Sequence, residues 1–337
     1  MERYARQSVF SRIGKEGQEK LLRSRVTIIG VGALGTVAAN NLCRAGVGYI
    51  RMVDRDYVEL TNLQRQILFT EDDANQSIPK AIAAFNHLSR VNSEITMEPI
   101  VSDVNPSNIE DMIKDADLVI DATDNFEIRL LINEACDKHG TPWIYCGALG
   151  SEGMTMNILP GSGGPCLRCF ISDDSSASSH TCSTFGVLNM LTNTMASIQT
   201  AEALKILIGS DAVRRELLTL DLWSNRFDMI ELVRDEDCPV CVHKRYDRLN
   251  TIVGSYTTSI CGTNSIQIVP PKTVNVDFAR LAEKLSQIGS VRHNQFTLTF
   301  SDDKYEFTLF QDGRAMIRNA IDENNAKSVY TEYIGLG

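Results

Sequence analysis

The sequence predicts an α/β protein: a Rossmann-like, doubly wound, mostly parallel sheet with a structural zinc site, followed by a small C-terminal α+β domain. Three observations predict it. The run Gly30-Val31-Gly32-Ala33-Leu34-Gly35 follows the β-branched stretch Arg25-Val26-Thr27-Ile28-Ile29 and opens a helical pattern, which is the strand, glycine turn and helix of a nucleotide-binding βαβ unit. Strand-like and helix-like segments then alternate to about residue 146. Two Cys-x-x-Cys pairs, Cys166 with Cys169 and Cys238 with Cys241, have the spacing of a tetrahedral four-thiolate site.

Each element has its own signal. Leu34, Val37, Ala38 and Leu42 form one stripe of a helix over 33–46, with Gly46 as its stop. A strand over 48–54 ends in Asp54. A helix is expected over 78–91, a strand over 94–100 and a helix over 107–115. The apolar strand 118–124 carries Asp121 and Asp124 at its exit. A helix over 126–138 and a strand over 142–146 follow. Such alternation predicts parallel strands with helices on both faces. The polar, small-residue segment 171–181 breaks the rhythm and reads as a mobile loop. Leu188, Leu191, Met195 and Ile198 then mark a long helix, with Asn189, Thr192, Asn193 and Gln199 facing elsewhere.

The texture changes near residue 250. Asp277 is placed to cap a helix running to Gly289, 296–300 and 305–310 read as strands, and Asp312-Gly313 is a hairpin turn signal. The expected organisation is a domain over 1–250 that includes the cysteine pairs, and a small α+β domain over 251–337.

Bulk properties narrow the class. The chain has 337 residues and a net charge of -10, the wrong sign for a non-specific nucleic-acid binder. No apolar run reaches membrane-spanning length, and the N-terminus lacks the apolar core of a signal peptide. Nine cysteines without an export signal point to a reducing, cytoplasmic setting, where thiols serve metals or catalysis.

The candidate chemistry sits in four places. In the glycine loop, Gly30 permits the tight turn, Gly32 lets backbone N–H groups approach phosphate, and Gly35 lets the helix pack against the sheet. Asp54 is placed to bind ribose hydroxyls. The following stretch supplies Asn62, Gln64 and Arg65, and Lys80 opens the next helix. Amide donors and cations downstream of a phosphate loop suit a triphosphate better than a nicotinamide dinucleotide, although each cation alone reads as a solvated surface charge. Asp121 and Asp124 leave a buried strand at its carboxyl end, where a carboxylate beside a triphosphate serves magnesium; either acid could instead cap the next helix. Cys166, Cys169, Cys238 and Cys241 close a zinc shell with no open position, so the metal is structural. Cys182 precedes the long helix, where a thiol gains nucleophilicity or simply packs. Cys43, Cys136, Cys146 and Cys261 lie in apolar patterns and read as core.

Taken together, Arg3-Tyr4-Ala5-Arg6-Gln7, the glycine loop, Asn62-Leu63-Gln64-Arg65-Gln66, Asp121-Ala122-Thr123-Asp124-Asn125, both cysteine pairs and Thr181-Cys182 before Gly186-Val187-Leu188 resemble the MoeB/ThiF family of adenylyltransferases over roughly residues 1–245. The resemblance implies an enzyme that binds ATP with Mg²⁺ and Zn²⁺. It would activate the C-terminal glycine of a ubiquitin-like sulfur carrier ending in Gly-Gly, in thiamine thiazole or molybdopterin synthesis. It further implies Asp54 on the ribose, Asn62, Arg65 and Lys80 on phosphates, and Asp124 on magnesium. Arg6 would reach into the ATP site of a second subunit, which implies a homodimer. Cys182 matches a thiol that in some members links covalently to the carrier. A cysteine desulfurase or other sulfur donor is the further partner. The alternatives are a relative activating another substrate, as in tRNA modification, a nicotinamide-dependent oxidoreductase, and a non-catalytic scaffold. Five histidines outside any convincing motif disfavour the oxidoreductase, which usually wants a positioned acid–base group.

Overall fold

The computed structural model describes residues 2–171, 185–251, 256–260, 265–270 and 274–335. They fall into two compact units, Met1–Asn75 with Pro79–Thr251, and Gln76–Ile78 with Ile252–Gly337.

The first unit is built on eight strands: β1 (Arg25–Ile29), β2 (Tyr49–Asp54), β3 (Thr96–Val101), β4 (Leu118–Asp121), β5 (Trp143–Leu149), β6 (Glu152–Ile158), β7 (Leu217–Asp221) and β8 (Arg226–Ile230). Their spatial order is β3-β2-β1-β4-β5-β6-β7-β8. The first five are parallel, and β6 to β8 extend the sheet antiparallel. The sheet is therefore mostly parallel, as the alternating pattern predicts. The antiparallel extension is not in that reading.

The helices of this unit are α1 (Ala5–Val9), α2 (Gly14–Arg23), α3 (Ala33–Ala45), α4 (Glu71–Asn75), α5 (Lys80–Leu88), α6 (Ile109–Ile113), α7 (Phe126–His139) and α8 (Asn189–Ile208). α3 stops where expected, at Gly46 with φ +81°. α5 is shorter than the 78–91 pattern suggests, because Pro79 stands in its N-cap position and Ser89 in its C-cap. α8 differs in its facing. Thr192 and Gln199, expected away from the apolar stripe, are buried with Leu191 and Met195. Gln199 Nε2 donates to the Asp121 and Ile144 carbonyls at 2.8 and 2.9 Å, so a polar residue ties the helix to the ends of two strands.

The chain order reverses between β1 and β4, which pair with Ile29 opposite Asp121. Ligands of open α/β sheets bind outside the strand ends at such a switch point. Two glycines make the crevice possible. A Cβ on Gly30, which has φ +91°, would stand 2.6 Å from the Ala122 carbonyl oxygen, and one on Gly35 would stand 2.0 Å from that of Gly30.

The second unit holds β9 (Tyr256–Ile260), β10 (Ser265–Val269), β11 (Ser290–His293), β12 (Thr297–Ser301), β13 (Glu306–Phe310) and β14 (Ala315–Arg318), with α9 (Phe278–Leu285) and α10 (Glu323–Val329). The order β11-β12-β13-β14-β10-β9 is antiparallel throughout. Asp277 caps α9 by accepting from the Arg280 N–H at 3.1 Å. α9 ends at Leu285 rather than near Gly289, where a Cβ would meet Phe300 and the Ser301 carbonyl at 2.6 Å. Phe278, Leu285, Leu298, Phe300 and Phe307 contribute to its own core.

Candidate active site and metal centre

The crevice is built from three loops. The first is the glycine loop into α3. The second follows β2. Asp54 Oδ2 accepts from the Val31 N–H at 2.6 Å and Oδ1 from the Asp56 N–H at 2.8 Å, so its carboxylate is fixed beside the glycine loop. Burial pushes this carboxyl up, while Lys80 and the two N–H donors pull it down. Lys80, the first residue of α5, places Nζ 3.1 Å from Asp56 Oδ2. Burial disfavours the Lys80 charge, but Asp56, Asp54 and Asp124 outweigh it and hold the ammonium above the ordinary lysine range. Asp124 also acts electrostatically on Arg55, which pairs with Asp103 at 3.0 Å. Asp54, Lys80 and Asp124 thus share one charged neighbourhood.

The third loop is 59–66. Asn62, expected to donate to phosphate, is buried, and its Oδ1 accepts from the Glu59 N–H at 3.0 Å. That bond caps the short turn Leu60–Asn62. Arg65 bends back on the same turn, its Nη1 donating to the Thr61 carbonyl at 3.1 Å. Asn189 Nδ2 holds the Gln64 carbonyl at 2.9 Å, so the start of α8 fixes this loop. Gln66 comes close to the glycine loop: among the described residues outside the adjoining chain, its Nε2 is the one atom a Cβ on Gly32 would meet, at 3.9 Å. No packing among the described residues demands glycine at 32, which fits a position left bare for a ligand.

The two strand-exit acids separate. Asp121 is fully buried. Its Oδ1 accepts from the Thr123 N–H and Oγ1 at 2.9 and 2.7 Å, and Oδ2 from Arg129 Nε at 3.2 Å. With both oxygens engaged it is a structural ion pair, not a metal ligand. Neither acid caps α7. Asn125 does, its Oδ1 accepting from the Glu127 N–H at 2.8 Å. Asp124 is exposed and makes no hydrogen bond among the described residues. Arg6 is likewise exposed, without hydrogen bond or ion pair among them.

Arg129, Asp56 and Gln199 are absent from the sequence-based site. Arg129 carries a weak signal, a cation inside the apolar run Ile128 to Ile132 of a predicted helix. Asp56 is hidden in the charge-rich run after Asp54. Cys182 and the segment 172–184 lie outside the described residues, as does Cys261.

The four sulfurs of Cys166, Cys169, Cys238 and Cys241 all lie within 4.8 Å of one another. Cys166 is 3.6 Å from Cys238, Cys169 is 3.5 Å from Cys241, and Cys166 and Cys169 are 4.0 Å apart. A tetrahedral ion with zinc–sulfur bonds of about 2.3 Å sets its sulfurs roughly 3.8 Å apart, so the donor set fits such an ion.

The sequence pattern of the ThiF family matches residues 4–240, which spans the glycine loop, the charged crevice and the first three cysteines of the quartet. The chain belongs to the ThiF family. Its relatives include the sulfur carrier protein ThiS adenylyltransferase of Bacillus subtilis (strain 168), 40% identical over 336 residues and 99% of both chains. The enzyme of the same name from Escherichia coli (strain K12) is 38% identical over 239 residues, covering 71% of this chain and 94% of its own. Among solved structures, E. coli MccB with ATP superposes with a TM-score of 0.63 at 23% identity, over 72% of this chain and 74% of that one; this likeness speaks for the shared ThiF-type fold. Among the described residues, no helix is long and apolar enough to cross a membrane.

Proposed function

We infer that this ThiF-family chain is an ATP-dependent adenylyltransferase that activates the C-terminal carboxylate of a sulfur carrier protein. The observation that carries the reading is the charged crevice at the β1–β4 switch point, in a chain that matches a ThiS adenylyltransferase from end to end. The match includes the C-terminal unit, which favours a ThiS-like carrier, and thiazole rather than molybdopterin synthesis.

The chemistry needs little proton handling. A terminal carboxylate has a pKa of about 3.3–3.7 and is ionised at neutral pH. Its oxygen bonds to the α-phosphorus, the bond to the bridging oxygen breaks, and the electron pair leaves with pyrophosphate. What the protein supplies is position and positive charge. Asp54, fixed by Val31, holds the ribose. Lys80 is kept charged by its acidic neighbours and faces the phosphates, and Arg65 and Asn62 join it once the 59–66 turn meets the ligand. Asp124, without a hydrogen bond among the described residues, is the magnesium-side carboxylate; the ion would neutralise phosphate charge when bound. Arg6 is exposed and unbonded among the described residues, as a residue serving a second copy's crevice requires, so the active form is a homodimer. The cysteine quartet takes zinc as a structural ion, its four thiolates leaving no open position.

ATP–pyrophosphate exchange tests the reading. Exchange should depend on a carrier ending in Gly-Gly, and Arg65→Ala should lower it by about 10²–10³-fold. Exchange that ignores the carrier, or binding of NADH in place of ATP, would overturn it.

A further inference from the structure

Gln66 is only 4% exposed, yet its carboxamide makes no hydrogen bond among the described residues: Oε1 is buried without a donor, and Nε2 has no acceptor. Oε1 could be satisfied only by a donor, so it is Nε2, the other end of the same amide, that is free to donate to an acceptor oxygen. Nε2 is the end turned to the glycine loop, the nearest atom to the space a Gly32 Cβ would fill. A second set of bare groups borders that space. Gly32 occupies the N-cap of the thirteen-residue helix α3, with no side-chain cap, so the first amides of α3 have no side-chain acceptor.

The order along the loop says which part of a ligand lies there. Asp54 takes the Val31 N–H, one residue before Gly32. A nucleotide whose ribose rests on Asp54 brings the phosphoryl group nearest the ribose to Gly32. We propose that Gln66 is a catalytic residue, donating through Nε2 to a non-bridging oxygen of the α-phosphoryl group during adenylyl transfer. This rests on the adenylyltransferase reading of the same crevice. As the carboxylate oxygen bonds to the α-phosphorus, the bond to the α,β-bridging oxygen breaks and pyrophosphate leaves with its electron pair. No proton moves. As the fifth bond to phosphorus forms, negative charge on the non-bridging oxygens grows, and a neutral donor held in place by packing bonds the transition state more strongly than the ground state, without drawing on a counter-ion.

The test uses the full-length protein, a Gly-Gly carrier, and ATP with either non-bridging α-oxygen replaced by sulfur. Gln66→Met keeps the packing volume and removes the donor; Gln66→Glu puts a charge in its place. The wild type should discriminate between the two α-thio diastereomers. Gln66→Met should lower kcat for exchange by about 10²–10³-fold, leave KM for ATP and the thermal midpoint near wild type, and bring the diastereomer ratio toward one. Gln66→Glu should be no better than Gln66→Met. An unchanged kcat, or a lowered kcat with the diastereomer ratio intact, overturns the proposal, since a purely structural residue would behave so. If the methionine variant misfolds, the same ratio is read on Gln66→Asn, where retention of the wild-type ratio overturns it. Absence of exchange in the wild type would instead overturn the underlying reading.

Discussion

The two ends of α7 stand in different physical states. At its N-terminal end, Asp124 is exposed and makes no hydrogen bond among the described residues, and Gln66, beside the glycine loop, keeps a carboxamide that is bare among them. Further along, the helix is fully engaged. Asn133 Nδ2 donates to Cys166 Sγ at 3.6 Å and its Oδ1 accepts from the Leu167 N–H at 3.0 Å. Glu134 accepts from the Arg248 and Leu249 N–H groups at 2.9 and 3.1 Å. Asp137 accepts from Lys244 and Tyr246 at 2.8 and 2.9 Å. The cysteine end is completed by the chain, and its four sulfurs have the spacing that an ion would need. The crevice end awaits something from outside. A finished polar network is architecture, and an unfinished one in a crevice is a site.

Metal removal makes the largest break in this contrast. Structural zinc contributes about 10–16 kcal/mol to folding in small zinc peptides, and here it would join the loop at Cys166–Cys169 to Cys238–Cys241. Cys238→Ser, or a strong chelator, should release one metal ion per chain and lower the thermal midpoint more than any other change described here. Protein that purifies without metal and keeps its midpoint would remove the cysteine end from the comparison.

Arg129→Leu comes next. Its guanidinium and the Asp121 carboxylate are almost wholly buried, at 7% and 0% side-chain exposure. Breaking such a pair from one side leaves an uncompensated buried charge and costs about 3–5 kcal/mol. Urea unfolding should show that loss. A cost below about 1 kcal/mol would mean that Asp121 is protonated in the native state, a state burial favours by pushing its pKa up.

Asp124→Ala should behave oppositely to Arg129→Leu. The carboxylate is exposed and makes no hydrogen bond among the described residues, so stability should stay within about 0.5 kcal/mol of wild type. Pyrophosphate exchange should fall by about 10²–10³-fold. Loss of stability alongside activity would place Asp124 in the architecture with Asp121, and the two acids would no longer differ in kind.

The same contrast explains what was legible in the sequence. β1, β2, β4, β5 and α3 announce themselves because buried parallel strands and amphipathic helices have clear apolar periods. β8 does not: all its residues except Asp228 are exposed, so no alternation marks it. β10 fails in the opposite way, since Ser265 and Gln267 are buried alongside Ile266 and Ile268. Gly30, Gly35 and the cysteine pairs are readable because spacing alone carries their geometry. Gln199 and Arg129 are not, because a buried polar residue is recognised by its partners, and those come from distant segments. Asn62 was legible as a polar residue in a motif, but its engagement with Glu59 depends on the local turn.

The smallest effect concerns Asn133, where the closed end can be tested without dismantling it. Its side chain is 1% exposed and serves two groups at once. The amide nitrogen approaches a cysteine sulfur, and the oxygen holds the N–H of the residue after it. Partners of metal ligands typically alter metal affinity by about 10–100-fold when removed. Asn133→Ala should therefore weaken zinc retention against a competing chelator by that factor, and cost about 1–3 kcal/mol for the Leu167 N–H left without its acceptor. Asn133→Asp divides the two roles. It keeps an acceptor for Leu167 but replaces the donor to Cys166 with a charge that repels a thiolate. Metal retention should then fall at least as far as in Asn133→Ala, while the metal-loaded protein recovers part of the stability. Equal metal affinity in all three proteins would show that the cysteine shell needs no support from α7, and that its N-terminal and cysteine-facing segments are independent.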